Sequence, residues 1–175
     1  MAERRIAWAI TGAGHFLSAC AAQVLIYPQV DIYLSRAAEE VVRMYRLQEC
    51  LRTGGARVRR ETTASSPAVA GFAHGMYGVL LVAPATSNSV AKFVHGISDS
   101  LVSNLFAQAG KSRVPIIVLP TDLAPEMDSL GPHGDIIKVF PRPIDLENTA
   151  KLRSFPGVKV VSNVEEMAQC LATCL

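Results

Sequence analysis

The run Gly78-Val79-Leu80-Leu81-Val82-Ala83 contains no polar side chain. A strand with one wet face alternates apolar and polar residues, so an unbroken apolar run of this length belongs to a strand covered on both faces. Such strands lie at the centre of parallel sheets, whose neighbouring strands are joined by crossovers, usually helical. The chain before the run has the matching pattern. Arg5 to Ile10 is a short apolar segment, followed by Thr11-Gly12-Ala13-Gly14 and helix-compatible sequence through Ala19, Ala22, Gln23, Leu25 and Ile26 as far as Pro28. Val30 to Leu34 reads as a second strand, and Ser35 opens a helix in which Val41, Val42, Met44, Tyr45 and Leu47 recur at helical intervals until Gly54-Gly55.

Beyond the central run, helices are expected from Asn88 to Val94 and from Asp99 to Ala109, with strands over Val114 to Leu119 and Val158 to Val161. Asn163 caps a last helix that carries Glu165 and Glu166 in its first turn, where carboxylates suit the helix dipole. Thr62 to Gly75 reads as irregular chain or a short helix, and Pro132, Pro141 and Pro143 punctuate a long connection. Repeated β-then-α units predict an α/β, Rossmann-like (flavodoxin-like) three-layer fold around a central parallel sheet, in one domain over residues 1–175.

Composition narrows the partners. Half the residues are hydrophobic and 18% are charged, enough for a buried core. The net charge of +2 is too small for a nucleic-acid footprint, and the one basic run, Arg57-Val58-Arg59-Arg60, reads as a solvated strand end or loop. Cys20, Cys50, Cys170 and Cys174 lack the paired spacing of a zinc or iron–sulfur site, so no metal is expected. Leu17-Ser18-Ala19-Cys20 resembles a lipoprotein cleavage box, but Thr11-Gly12-Ala13-Gly14-His15 interrupts the apolar stretch before it. No run approaches membrane-spanning length, and a cytoplasmic protein without membrane partners is the expectation.

In an open parallel sheet, ligands lie beyond the carboxyl ends of the strands. Those ends are Thr11 to His15, then Ser35-Arg36, then Pro84-Ala85-Thr86-Ser87-Asn88-Ser89, then Pro120-Thr121-Asp122, all small or polar. The first turn suits a phosphate, because small residues let backbone N–H groups approach an anion at a helix N-terminus. It departs from the dinucleotide fingerprint, having Leu17 at the third glycine position and Ser35 in place of a ribose-binding carboxylate. A mononucleotide fits these groups better. Taken alone, Thr86-Ser87-Asn88-Ser89 reads as the N-cap cluster of the next helix.

The stretch from Val82 through Pro84-Ala85-Thr86-Ser87-Asn88-Ser89 to Lys92, continued by Gly96-Ile97-Ser98-Asp99-Ser100-Leu101, resembles the signature of the homo-oligomeric flavin-containing decarboxylase superfamily. The Thr11-Gly12-Ala13 turn, Ser35 and Pro120-Thr121-Asp122 extend the resemblance along most of the chain. Val94-His95-Gly96 through Asn104 and Gln108-Ala109-Gly110-Lys111 are similar to its dihydromethanopterin reductase and archaeal flavoprotein branch. The resemblance implies bound FMN and trimers, with assembly into a larger shell as an extension of them. It also implies a flavin held by Gly12, Ala13, Gly14, His15, Ser35, Arg36, Thr86, Ser87, Asn88, Ser89, Ser98, Asp99 and Thr121.

Three departures point away from the superfamily's other chemistries. Val69 stands near the place of the His-hydrophobic pair of decarboxylating members, and Pro120-Thr121-Asp122-Leu123 replaces their Pro-x-Met-Asn clamp. Ala85-Thr86-Ser87 replaces the Cys-Ser-Met of prenyl-transferring relatives. Reduction remains: an FMN-dependent enzyme taking a dihydropterin to its tetrahydro form, with the electron donor left open. Asp122 is the candidate to grip a pterin amidine, since a carboxylate accepts two parallel hydrogen bonds. His95 is a candidate proton donor, as are His15, His74 and His133, although a lone histidine is more often structural. The alternatives are a flavoprotein subunit of a two-component enzyme such as dipicolinate synthase, and a non-catalytic flavin-binding regulatory subunit.

Overall fold

The computed structural model describes residues 5–63 and 69–174. Six parallel strands form the central sheet in the order β3-β2-β1-β4-β5-β8, where β1 is Arg5–Ile10, β2 Val30–Leu34, β3 Arg57–Arg60, β4 Tyr77–Ala85, β5 Ile116–Pro120 and β8 Val158–Val160. From β1 the chain winds outward through β2 to β3; from β4 it winds the other way. The order therefore reverses between β1 and β4, and a crevice opens there beyond the strand ends. The apolar run foreseen as central is β4, buried along its whole length.

Alternation along the strands sorts the core into two layers. Ile6, Trp8 and Ile10 face helices α1 (Leu17–Val24), α2 (Arg36–Met44) and α7 (Val164–Cys174). Ala7 and Ala9 face α3 (Ala70–Ala73), α4 (Ser87–His95), α5 (Leu101–Lys111) and α6 (Pro143–Leu152). Small residues on that side of β1 let α5 lie close to the sheet. Trp8 is fully buried, and its indole N–H donates to the Ala83 carbonyl at 2.7 Å.

Asp31 is the one buried acid of the central strands, at 0% exposure. Its carboxylate accepts from the Arg5 guanidinium at 2.6 Å and from the Tyr77 hydroxyl at 2.8 Å, and Tyr33 and Tyr77 share a 2.5 Å hydrogen bond. A buried charge is tolerated when it is paired and hydrogen-bonded in this way. Burial pushes the pKa of both tyrosines up, keeping them protonated. This network sits at the opposite end of the sheet from the crevice and anchors β1, β2 and β4 to one another.

Some expectations change. The basic run is the edge strand β3, whose arginines are exposed and discourage pairing with another sheet. The helix after Ser35 ends at Met44, and a 3-10 turn over Cys50–Gly55 separates it from β3. The helix expected from Asp99 starts at Leu101, because Ser100 caps it by accepting from the Ser103 N–H. Part of Thr62 to Gly75 lies outside the described residues, and its later portion carries the short helix α3. The long connection instead folds into an antiparallel hairpin, β6 (Met127–Leu130) and β7 (Ile136–Val139), and then α6. Pro143 belongs to the first turn of α6, where its missing N–H costs nothing.

Candidate functional site

A cleft of about 190 Å³ lies at the carboxyl ends of β1 and β5. Its floor is Ala13, Gly14 and His15, one wall is Thr121 and Asp122, and the hairpin covers it with Met127, Asp128, Ser129 and Val139. Thr11 joins the two sides of the crevice. Its hydroxyl donates to the Pro84 carbonyl at 2.9 Å and accepts from the Thr86 N–H at 2.8 Å.

At two glycines of the turn after β1 an added Cβ would collide with a neighbour. A Cβ on Gly12 would stand 2.5 Å from the Ala37 Cβ, and one on Gly14 would stand 2.1 Å from the Tyr45 hydroxyl oxygen. Real Cβ atoms do not approach neighbours so closely, so these positions leave the backbone bare toward α2 and toward Tyr45. Phe16 follows with φ of 68°, and its ring lies 3.8 Å from that of His15. His15 is half-buried, and burial lowers its pKa from 6.5, so its imidazole is neutral at pH 7.

Across the crevice, Thr86 caps α4 and Ser87 begins it; the Ser87 hydroxyl donates to the Asp122 carboxylate. Asp122 is half-buried. Burial and then the nearby Asp145 charge raise its pKa, and Arg142 partly opposes them. Asp145 is itself held low by Arg142, whose guanidinium bonds it at 2.8 and 2.9 Å.

Of the residues singled out from the sequence, Ala13, Gly14, His15, Thr121 and Asp122 meet in the cleft, and Ser87 reaches it through Asp122. Gly12 lies against the first turn of α2, where Ser35 caps the helix by accepting from the Ala38 N–H and Arg36 is exposed. Asn88 is exposed on the first turn of α4, and Ser89 pairs with the Thr86 hydroxyl at 3.1 Å. Ser98 lines a separate recess with Lys92 and Phe106, and the neighbouring Asp99 is ion-paired with Lys92 at 2.7 Å. His95 is exposed at the end of α4, away from the cleft lining.

Sequence reasoning missed Met127, Asp128, Ser129, Val139, Tyr45 and Glu61. The Gly131-Pro132-His133-Gly134 turn was the available signal for the hairpin, since Met127-Asp128-Ser129-Leu130 does not alternate in polarity. Glu61 had none. Its carboxylate accepts from the N–H of Arg36 at 3.0 Å and from that of Leu101 at 2.6 Å, the first residues of α2 and α5. One side chain thus serves two helix N-termini from opposite layers of the fold, tying the Ser35 turn to the loop carrying Ser98 and Asp99. Among the described residues, no group of three or more His, Cys, Asp or Glu is placed to hold a metal ion, and no helix is long and apolar enough to cross a membrane.

A doubly wound parallel sheet with a small-residue turn and a cleft at the strand switch that carries a few polar groups, Thr121 and Asp122 among them, defines a mononucleotide-binding type of α/β protein. The chain belongs to the Flavoprotein family, whose sequence profile matches residues 1–174. It is 42% identical over 170 residues to the dihydromethanopterin reductase (acceptor) of Methanosarcina mazei, which covers 89% of this chain and 67% of that protein. The enzyme of the same name from Methanocaldococcus jannaschii is 41% identical over 132 residues, 67% of this chain and 53% of that one. The chain therefore spans about two thirds and about half of these two relatives. The crystal structure of Burkholderia xenovorans DmrB in complex with FMN, a cubic protein cage for redox transfer, superposes with a TM-score of 0.89 at 38% identity, covering 98% of this chain and 95% of that one.

Proposed function

We propose that this protein is an FMN-dependent oxidoreductase that reduces dihydromethanopterin, or a related dihydropterin, to the tetrahydro form. The observation that carries the proposal is the meeting of the Gly12–Gly14 turn with the Ser87–Asp122 pair in one cleft at the strand switch. Identity above 40% to two dihydromethanopterin reductases and the likeness to FMN-bound DmrB support it.

The residues fit a flavin mononucleotide. Ala37 packs against Gly12 and Tyr45 against Gly14, which holds the small-residue turn at the crevice with the Thr86-capped start of α4 beside it, a setting suited to a phosphate and ribityl chain. Ala13, His15 and Thr121 line the cleft and Ser35, Arg36, Thr86, Asn88 and Ser89 stand at the neighbouring helix starts; Ser98 and Asp99, in a separate recess of this chain, are proposed flavin contacts only by the family resemblance. Bound FMN supplies hydride transfer, the difficult step of the reaction. The chain's own groups orient the pterin and exclude water. Asp122 is the substrate ligand: Ser87 fixes its carboxylate, and the two oxygens suit the paired N–H groups of a pterin amidine. The hairpin shields the cleft from solvent through Met127 and Val139. In this reading the chain forms a homo-oligomer built from trimers and takes electrons from a separate donor.

The test is the visible spectrum of the purified protein before and after denaturation, with the released chromophore identified by mass, followed by anaerobic reoxidation of the reduced protein by dihydropterin. Released FMN and rapid reoxidation are the expected results. A colourless protein that also fails to take up added FMN overturns the proposal.

A further inference from the structure

The hairpin that covers the cleft has little packing to hold it there. Leu130 is 58% exposed and Ile136 72%, and the two strands pair with each other rather than with the central sheet. Pro125 precedes it and Pro141 and Pro143 follow it, leaving stiff feet on either side. Its inward residues Met127, Ser129 and Val139 line the cleft. At the base, the Leu123 N–H meets the Met127 sulfur at 3.2 Å, a weak acceptor.

Tyr45 supplies the other tie. It ends α2, on the far side of the Gly14 turn, and its hydroxyl donates to the Leu130 carbonyl at 2.9 Å. The same ring lies against Gly14, where an added Cβ would have to push it aside. One phenol therefore touches the floor turn of the cleft and the tip-side end of its cover. Burial, together with the Asp135 charge in the hairpin turn, raises the Tyr45 pKa, so the hydroxyl keeps the proton it donates.

We propose that Tyr45 is a positioning residue that latches the β6–β7 hairpin over the cleft, and that release of this latch governs exchange of the bound flavin. The second part rests on the FMN reading above; the first stands without it. Opening turns the hairpin about its proline-flanked feet while the sheet and α2 stay in place, because the hairpin contributes nothing to either core layer.

The test uses the full chain and its Tyr45→Phe variant, which keeps the ring and removes the donor. Hydrogen exchange of residues 127–139 is expected to accelerate about three- to tenfold, the factor that one net hydrogen bond contributes, with α2 and β2 unchanged. FMN release, followed by the recovery of flavin fluorescence on dilution, is expected to accelerate by a similar factor. Gly14→Ala, whose Cβ would push the ring aside, should reproduce the faster hairpin exchange; FMN release is compared in Tyr45→Phe alone, because Gly14 itself lines the cleft. Unchanged hairpin exchange in both variants overturns the latch; faster exchange with unchanged FMN release overturns its control of the flavin. A wild-type protein that binds no FMN defeats the flavin reading alone, and hairpin exchange still decides the latch.

Discussion

The Ser87 hydroxyl, at the start of α4, donates to the carboxylate of Asp122, two residues past the end of β5. The contact joins the two loops on one side of the crevice and fixes the acid proposed to hold the substrate. It also sets up a conflict, since the carboxylate is half-buried and near Asp145.

Asp122→Asn resolves that conflict at the expense of function. The folded-state pKa of Asp122 is raised, so the native protein holds this proton more tightly than the unfolded chain. Stability is therefore lost as pH rises from 3.8 through the raised value, and the loss persists at pH 7. The amide carries no charge and still accepts from Ser87. The variant should melt at the same or a higher temperature at pH 7, keep its FMN, and bind dihydropterin about ten- to hundredfold more weakly, the worth of hydrogen bonds to a charged group. Flavin loss on substitution would move Asp122 to the cofactor instead.

His15 gives the opposite pH dependence. Burial lowers its pKa below 6.5, so the unfolded chain takes up the proton first on acidification. Its contribution is whole above 6.5 and is lost as pH falls from there through the lowered value. Denaturant midpoints measured across this range should fall with pH, and His15→Gln should remove that part of the slope. An unaltered slope in the variant would assign it to other groups.

Glu61→Ala should loosen the joint between the layers. It deprives the Arg36 and Leu101 amides of their shared acceptor. Water replaces part of that interaction at a half-exposed position, so the expected cost is about 1–2 kcal/mol. Chemical denaturation measures the cost, and faster amide exchange at the first turns of α2 and α5 locates it.

Arg5→Met should be the most damaging of these changes. It leaves the Asp31 side chain at 0% exposure with the Tyr77 hydroxyl and without its ion-pair partner. Removing one partner of a buried pair costs about 3–5 kcal/mol, although the partial exposure of Arg5 favours the lower end. A midpoint shift near zero would mean that the Arg5–Asp31 pair contributes nothing net to stability.

Most of the central sheet and its helices were legible because each reports its own burial. An unbroken apolar run marks β4, helical spacing marks α2, and Asn163 marks a helix start through a bond made within a few residues, whereas the Ser100 cap went unread and the helix was expected from Asp99. The region after β5 was not legible. Pro143 was read as a break when it was an N-terminal helix residue, and the hairpin strands are short and largely exposed, so their apolar pattern is weak.

By itself the sequence determined the layer architecture, the parallel sheet implied by alternating elements, and the small or polar character of the four strand ends at Thr11, Ser35, Pro84 and Pro120. These follow from local periodicity, from bonds between near neighbours and from the burial that each face requires. Only the tertiary structure decided which strand ends share a cleft, that Glu61 serves two helices at once, and that Tyr45 closes the gap between Gly14 and Leu130. Those relationships join residues far apart in the chain, and their physical basis is distance and direction between packed elements, which no residue pattern records.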